Sequence, residues 1–75
     1  MIGRIIKEIE RFYYLGELQS MGGCYDLETS YYDKAWGMEA AAMMMVQDKD
    51  DLAKRIQRAK TRGREKAWDE KDKAV

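Results

Sequence analysis

The sequence predicts an all-α protein built as a helical hairpin, with a short first helix folded against a longer second one. Three observations predict this fold. The chain has no proline among its 75 residues. Its apolar residues recur at steps of three and four, as one face of a helix requires, and strand-type alternation is weak. A central segment, residues 35–46, is apolar nearly all the way round and carries Glu39 as its only charge.

The size of the chain predicts that it needs a second source of stability. We expect one helical domain at residues 1–66, followed by a charged, frayed tail at residues 67–75. A chain of this length buries only about 60 % of its unfolded surface. Cys24 is the only cysteine and histidine is absent, so neither an intrachain disulfide nor a classical zinc site can form. We therefore expect a homodimer or a higher oligomer.

Composition also limits the class of function. The lone cysteine favours a reducing, cytoplasmic compartment, and charges interrupt any N-terminal targeting pattern. The apolar segment is shorter than the about 20 residues that span a membrane. A phosphate-binding glycine loop is absent, and Cys24 has no histidine to activate it. We expect neither a cofactor, nor enzymatic activity, nor a membrane partner.

The first helix is predicted over residues 2–20. Its apolar stripe consists of Ile2, Ile5, Ile6, Ile9, Phe12 and Tyr13. Gly16 costs this helix roughly 1 kcal/mol relative to alanine, which indicates that another helix approaches closely at that point. Gly22 or Gly23 is expected to end the helix in the left-handed conformation.

The second helix is predicted to run from about residue 30 to the middle 60s, with Asp26, Thr29 or Ser30 as its N-cap. Its apolar residues keep the repeat of about 3.5 residues that is typical of a coiled-coil seam. The alternative is a break near residue 48, where Asp48 would cap a third helix. The residues that we expect at the oligomer interface are Trp36, Met38, Ala42, Met45, Leu52 and Ile56.

The charges are segregated along the chain, although the formal net charge is zero. Residues 1–51 contain five basic and ten acidic side chains, whereas residues 52–66 contain seven basic and one acidic. The basic stretch is either a solvated surface that pairs with the acidic part of the chain or a binding surface for a nucleic acid or an acidic protein. Its candidate binding residues are Lys54, Arg55, Arg58, Arg62, Arg64 and Trp68.

Trp68 follows the basic stretch in a highly polar segment. It either anchors the end of the chain on the other helices or docks on a partner, for example by stacking on an unpaired base. Residues 54–68 resemble the arginine-rich RNA-binding peptides of phage antitermination proteins, which also carry an aromatic residue beyond a basic block.

Two other features each have a structural and a chemical interpretation. Glu39 is either a solvent-facing or paired carboxylate or, if buried, a general acid or base. Its expected partners across an interface are Arg4, Arg11 and Lys34. The tyrosine-rich segment 25–33 either caps the end of the core or lines a ligand pocket. The rings that would complete such a pocket are Tyr13, Tyr14 and Trp36.

These features predict a small, non-enzymatic helical interaction protein that oligomerises and binds or inhibits a macromolecular partner. Small chains without cofactors are common among phage and mobile-element accessory proteins, so we expect an inhibitor or adaptor of that type. The alternative is a nucleic-acid-binding protein that uses residues 54–66 together with Trp68.

Overall fold

The computed structural model describes residues 2–74, which form three α-helices. Helix α1 spans Ile2–Met21, α2 spans Tyr25–Met45 and α3 spans Lys49–Ala74. The prediction of an all-α protein is confirmed. Helix α1 is the central element, because α2 and α3 both pack along it and contact each other only sparsely. The arrangement is elongated, with principal extents of 44 × 23 × 17 Å.

Helix α1 occupies the centre because its side chains serve two neighbouring helices. Its bounds agree with the predicted residues 2–20 to within one residue. Ile6, Ile9 and Tyr13 are buried, and the rest of the predicted stripe packs around them. Gly16 is buried under the ring of Tyr32 from α2, where an added Cβ would lie 2.6 Å from Cε1 of that ring. The close approach predicted at Gly16 is therefore present.

The connection between α1 and α2 is a tight glycine turn. Gly23 has φ +79°, and the Cys24 N–H donates to the carbonyl oxygen of Gln19 at 2.8 Å, which closes the end of α1. Helix α2 then begins at Tyr25 without a side-chain cap. The N-caps predicted at Asp26, Thr29 and Ser30 are wrong, because these residues lie within the helix. Acidic side chains in the first turn, such as Asp26, interact favourably with the helix N-terminus instead.

The prediction of one long second helix is also wrong. The chain leaves the helix at Val46, which is extended with φ −121° and ψ 154°. Asp48 caps α3, since its Oδ1 accepts a hydrogen bond from the Asp51 N–H at 3.0 Å. The Lys49 Nζ donates to the carbonyl oxygen of Met43 at 3.0 Å, near the C-terminus of α2. These local hydrogen bonds support the break, which allows α2 and α3 to pack on α1 separately.

Helix α3 packs closely against α1 along most of its length. Its buried residues are Leu52, Ile56, Ala59, Gly63 and Ala67. An added Cβ at Gly63 would overlap the carbonyl oxygen of Glu10 and lie 3.0 Å from the backbone nitrogen of Tyr14. Glycine at this position therefore allows the two backbones to approach.

Helix α3 continues through Ala74, beyond the boundary predicted at residue 66. In the structure, Ala67 is buried, and Trp68 and Glu70 contact α1. The Trp68 Nε1 donates to Glu17 Oε1 at 3.2 Å, and the Tyr14 hydroxyl donates to the Glu70 carboxylate. Met1 and Val75, the ends of the predicted domain and tail, lie outside the described residues. Between residues 2 and 74, no helix is both long and apolar enough to cross a membrane.

Candidate functional site

One side of α2 forms an apolar surface that the fold leaves uncovered. We call this surface the outer α2 face and define it as Trp36, Gly37, Ala40, Ala41, Met44 and Met45. The side chains of Trp36, Met44 and Met45 are 59 %, 86 % and 51 % exposed. Contiguous exposed apolar patches on soluble proteins mark interaction sites. The outer α2 face is therefore a candidate functional surface.

The outer α2 face is exposed because α2 is apolar on both sides and only one side has a neighbour. Ala35 and Ala42 are fully buried and hold α2 close to the core. Helix α3 lies against α1 and covers little of α2. The sequence showed that residues 35–46 are apolar nearly all the way round. Which side of α2 stays exposed is determined by the central position of α1.

The structure separates the six residues predicted for an oligomer interface. Trp36 and Met45 lie on the outer α2 face, and Met38 is half-buried against the core. The other three are buried within the single chain: Ala42, Leu52 and Ile56. The predicted seam is not one surface, because the break at residues 46–48 turns its second half toward α1. Gly37 and Met44 also lie on the outer α2 face, although they were not among the six residues predicted for the interface.

A second candidate surface lies on the outward side of α3. We call it the outer α3 face and define it as Lys54, Arg55, Gln57, Arg58, Thr61 and Arg62, all of which are exposed. Most of them line a shallow open groove. Within residues 2–74, no carboxylate lies within ion-pair distance of Lys54, Arg55 or Arg58. Arg62 differs, since its Nε lies 2.6 Å from Glu10 Oε1.

The remaining two residues predicted to bind a partner make contacts within the chain. The guanidinium of Arg64 lies 5.2 Å from the ring centroid of Tyr13. Trp68 is 48 % exposed, and its indole nitrogen is bound to Glu17. Of the two interpretations of Trp68, these contacts favour the anchor.

Glu39 forms a structural pair between α2 and α3. Its Oε1 lies 2.6 Å from the Nζ of Lys60, and the Tyr13 hydroxyl donates to its Oε2 at 3.4 Å. Burial alone would lower the pKa of Lys60, but the hydrogen bond and charge of Glu39 outweigh burial and raise it. The pair supports the structural interpretation of Glu39, although the partner differs from those predicted: Arg4, Arg11 and Lys34. Lys60 was missed because it lies within the basic stretch.

The aromatic residues near the first turn do not converge on one pocket. The rings of Tyr13 and Tyr32 pack on each other with centroids 5.0 Å apart. Burial and a 3.0 Å hydrogen bond to Glu17 raise the pKa of Tyr32 to about 12. Tyr25 is exposed beside the turn, and Trp36 belongs to the outer α2 face. These placements favour the interpretation in which the rings cap the core.

Comparison of the chain with protein-family models, with curated proteins and with solved structures gave no match. In the part of the chain that the structure describes, no group of three or more cysteine or carboxylate side chains is placed to hold a metal ion.

Proposed function

We propose that this chain is a non-enzymatic helical interaction protein that self-associates through the outer α2 face and binds or inhibits a macromolecular partner in that form. The observation that carries the proposal is the exposure of Trp36, Met44 and Met45 on the side of α2 that lies away from α1. The assignment to phage or mobile-element accessory proteins stays an expectation from size and composition.

A second copy of the same face is a chemically suitable occupant. Gly37, Ala40 and Ala41 are small and lie between the larger Trp36 and Met44. In a two-fold arrangement, large side chains of one copy can pack beside small residues of the other. Methionine side chains adapt readily to irregular gaps in such an interface.

The electrostatics of the outer α2 face also support self-association. The face contains no ionisable residue. Glu39, the only charged residue among residues 35–46, is bound to Lys60 instead. Two copies can therefore meet without removing a charge from water, which is the main cost of burying polar surfaces. Association also stabilises a small chain by mass action, since only the folded form presents the face.

Solution mass tests this proposal. We expect reduced wild-type protein to elute as a dimer or larger species in size-exclusion chromatography with light scattering. Met44→Glu should give a folded monomer, because like charges would meet across the interface while the core stays unchanged. The matched control is Ser30→Glu, an exposed substitution earlier on α2 that should leave the mass unchanged. Circular dichroism checks that both variants keep their helical content.

Two outcomes would contradict self-association through this face. One is a wild-type monomer at every concentration tested. The other is a Met44→Glu variant that stays folded with the same mass as wild type. Reducing conditions matter, because Cys24 is exposed and could link two copies covalently.

A further inference from the structure

We infer that the outer α3 face binds the phosphate backbone of a nucleic acid. This inference goes beyond the proposed function, because it concerns a different helix and a different class of partner. It starts from the arrangement of four cations on that face: Lys54, Arg55, Arg58 and Arg62.

These cations form a row along one side of α3. Lys54, Arg58 and Arg62 are separated by four residues each, so successive members lie about 6 Å apart along the helix axis. Arg55 lies beside this row, and residues 52–64 contain no acidic side chain. Closely spaced cations of this type can neutralise several phosphates of one strand and release their counterions.

The outer α3 face carries charged and polar side chains and no large apolar residue, and the apolar lining of its groove comes from the aliphatic stems of those side chains. The apolar side of α3 is already used in the fold, since Leu52, Ile56 and Ala59 are buried. Between the cations lie Gln57 and Thr61, which are polar. Protein interfaces usually have an apolar centre, and membrane-surface helices insert apolar side chains. A phosphodiester backbone needs neither, and arginine matches phosphate oxygens with two parallel hydrogen bonds.

Intrachain contacts distinguish the cations that are available from those that are not. Lys60 is bound to Glu39, and Arg64 lies over Tyr13. Lys54, Arg55 and Arg58 have no carboxylate partner within residues 2–74, whereas Arg62 shares its Nε with Glu10. The face should therefore make three to four phosphate contacts, fewer than the number of basic residues in the stretch suggests.

Salt dependence of binding measures that number. We would follow fluorescence anisotropy of a labelled duplex DNA and a labelled duplex RNA with the full chain at several salt concentrations. With about 0.9 counterions released per contact, three to four contacts give a log–log slope of about −2.7 to −3.6. Binding should vary little with sequence, because contacts to phosphate carry no sequence information.

A triple variant, Lys54→Gln/Arg55→Gln/Arg58→Gln, tests whether this face is responsible. It should flatten the slope by about 2.7 and weaken binding at low salt by at least about tenfold. The matched control is Arg4→Gln/Lys7→Gln/Lys73→Gln, which removes the same charge from exposed positions elsewhere. The single variant Arg58→Gln, expected to reduce the slope by about one, keeps the test valid if the triple variant unfolds.

Several results would overturn the inference. One is that neither duplex binds detectably at low salt. Another is that the triple variant and its control lose the same amount of binding affinity. Binding of polyglutamate in preference to the duplexes would assign the face to an acidic protein. Binding of vesicles containing anionic lipid without binding of the duplexes would assign it to a membrane surface. If the duplexes do not bind but the wild-type protein is still an oligomer, the proposed self-association is unaffected, because the Met44→Glu experiment tests self-association separately.

Discussion

Glu17 connects the three helices through a single carboxylate. One oxygen accepts from the Tyr32 hydroxyl on α2 at 3.0 Å, and the other accepts from the Trp68 indole on α3 at 3.2 Å. Glu39 makes a second connection of this kind, between Lys60 on α3 and Tyr13 on α1. These polar contacts matter because the apolar contact between α2 and α3 is sparse.

The Tyr32 contact predicts that stability falls at high pH. Burial and Glu17 raise the pKa of Tyr32 from 10.0 to about 12, so the folded state binds its proton more tightly than the unfolded state. The free energy of unfolding should therefore decrease as the pH rises from 10 toward 12. The raised pKa of Lys60 acts in the same direction, because its ion pair with Glu39 is lost when Lys60 loses its proton.

Urea unfolding at a series of alkaline pH values measures this effect. Tyr32→Phe should show a smaller decrease over the same pH range than wild type, because phenylalanine has no proton to lose. Tyr25→Phe is the control, since that ring is exposed. Equal pH dependence in wild type and Tyr32→Phe would show that Tyr32 does not couple to folding.

At the scale of the helices, Gly63 sets the distance between α1 and α3. Gly63→Ala should lower the free energy of unfolding, because the new Cβ meets backbone atoms of Glu10 and Tyr14 that cannot rotate away. Overpacking costs about 1–3 kcal/mol, and alanine recovers about 1 kcal/mol of helix propensity. We therefore expect a net loss of up to about 2 kcal/mol in urea unfolding.

Gly3→Ala is the matched substitution for Gly63→Ala. Gly3 also lies in a helix, but an added Cβ there would have nothing within 4 Å. This variant should be neutral or slightly more stable than wild type. If both variants have the same stability, the approach of α1 and α3 does not depend on glycine.

The sequence predicted the elements whose signals are local. The stripe of α1 and the glycine turn at Gly23 follow from periodicity and backbone preference. The break at residues 46–48 was only the alternative prediction, with Asp48 as its local signal, because the apolar residues stay in phase across it. The packing of α2 and α3 on α1 is a tertiary effect that the sequence pattern does not show, and it is compatible only with the broken arrangement.

The candidate surfaces were predictable to different degrees. The basic character of the outer α3 face is visible in the sequence, since residues 52–64 contain no acid. The sequence does not show that Lys60 and Arg64 lie outside that surface. Their contacts are with Glu39 and Tyr13, which lie far away in sequence. The outer α2 face could be identified only from the three-dimensional arrangement, because the sequence of a helix that is apolar nearly all the way round does not reveal which side is covered.

At the scale of the whole molecule, the segregated charges meet within one chain. The acidic part supplies Glu10 and Glu39, and the basic stretch supplies their partners Arg62 and Lys60. Charge complementarity therefore serves the fold, as one of the two interpretations of the basic stretch predicts. Three cations of the outer α3 face, Lys54, Arg55 and Arg58, are not accounted for by this complementarity, since they form no ion pair within residues 2–74.

The extent of the folded domain gives the last prediction. Truncation after Lys66 would remove the burial of Ala67, the bond from Trp68 to Glu17 and the contact of Glu70 with Tyr14. Two hydrogen bonds and a half-buried indole together contribute about 2–4 kcal/mol, so the truncated chain should unfold at a clearly lower urea concentration. Truncation after Asp72 retains all three contacts and should leave stability nearly unchanged. If both truncated chains match wild type, residues 67–72 are dispensable and the domain ends at residue 66, as composition alone suggested.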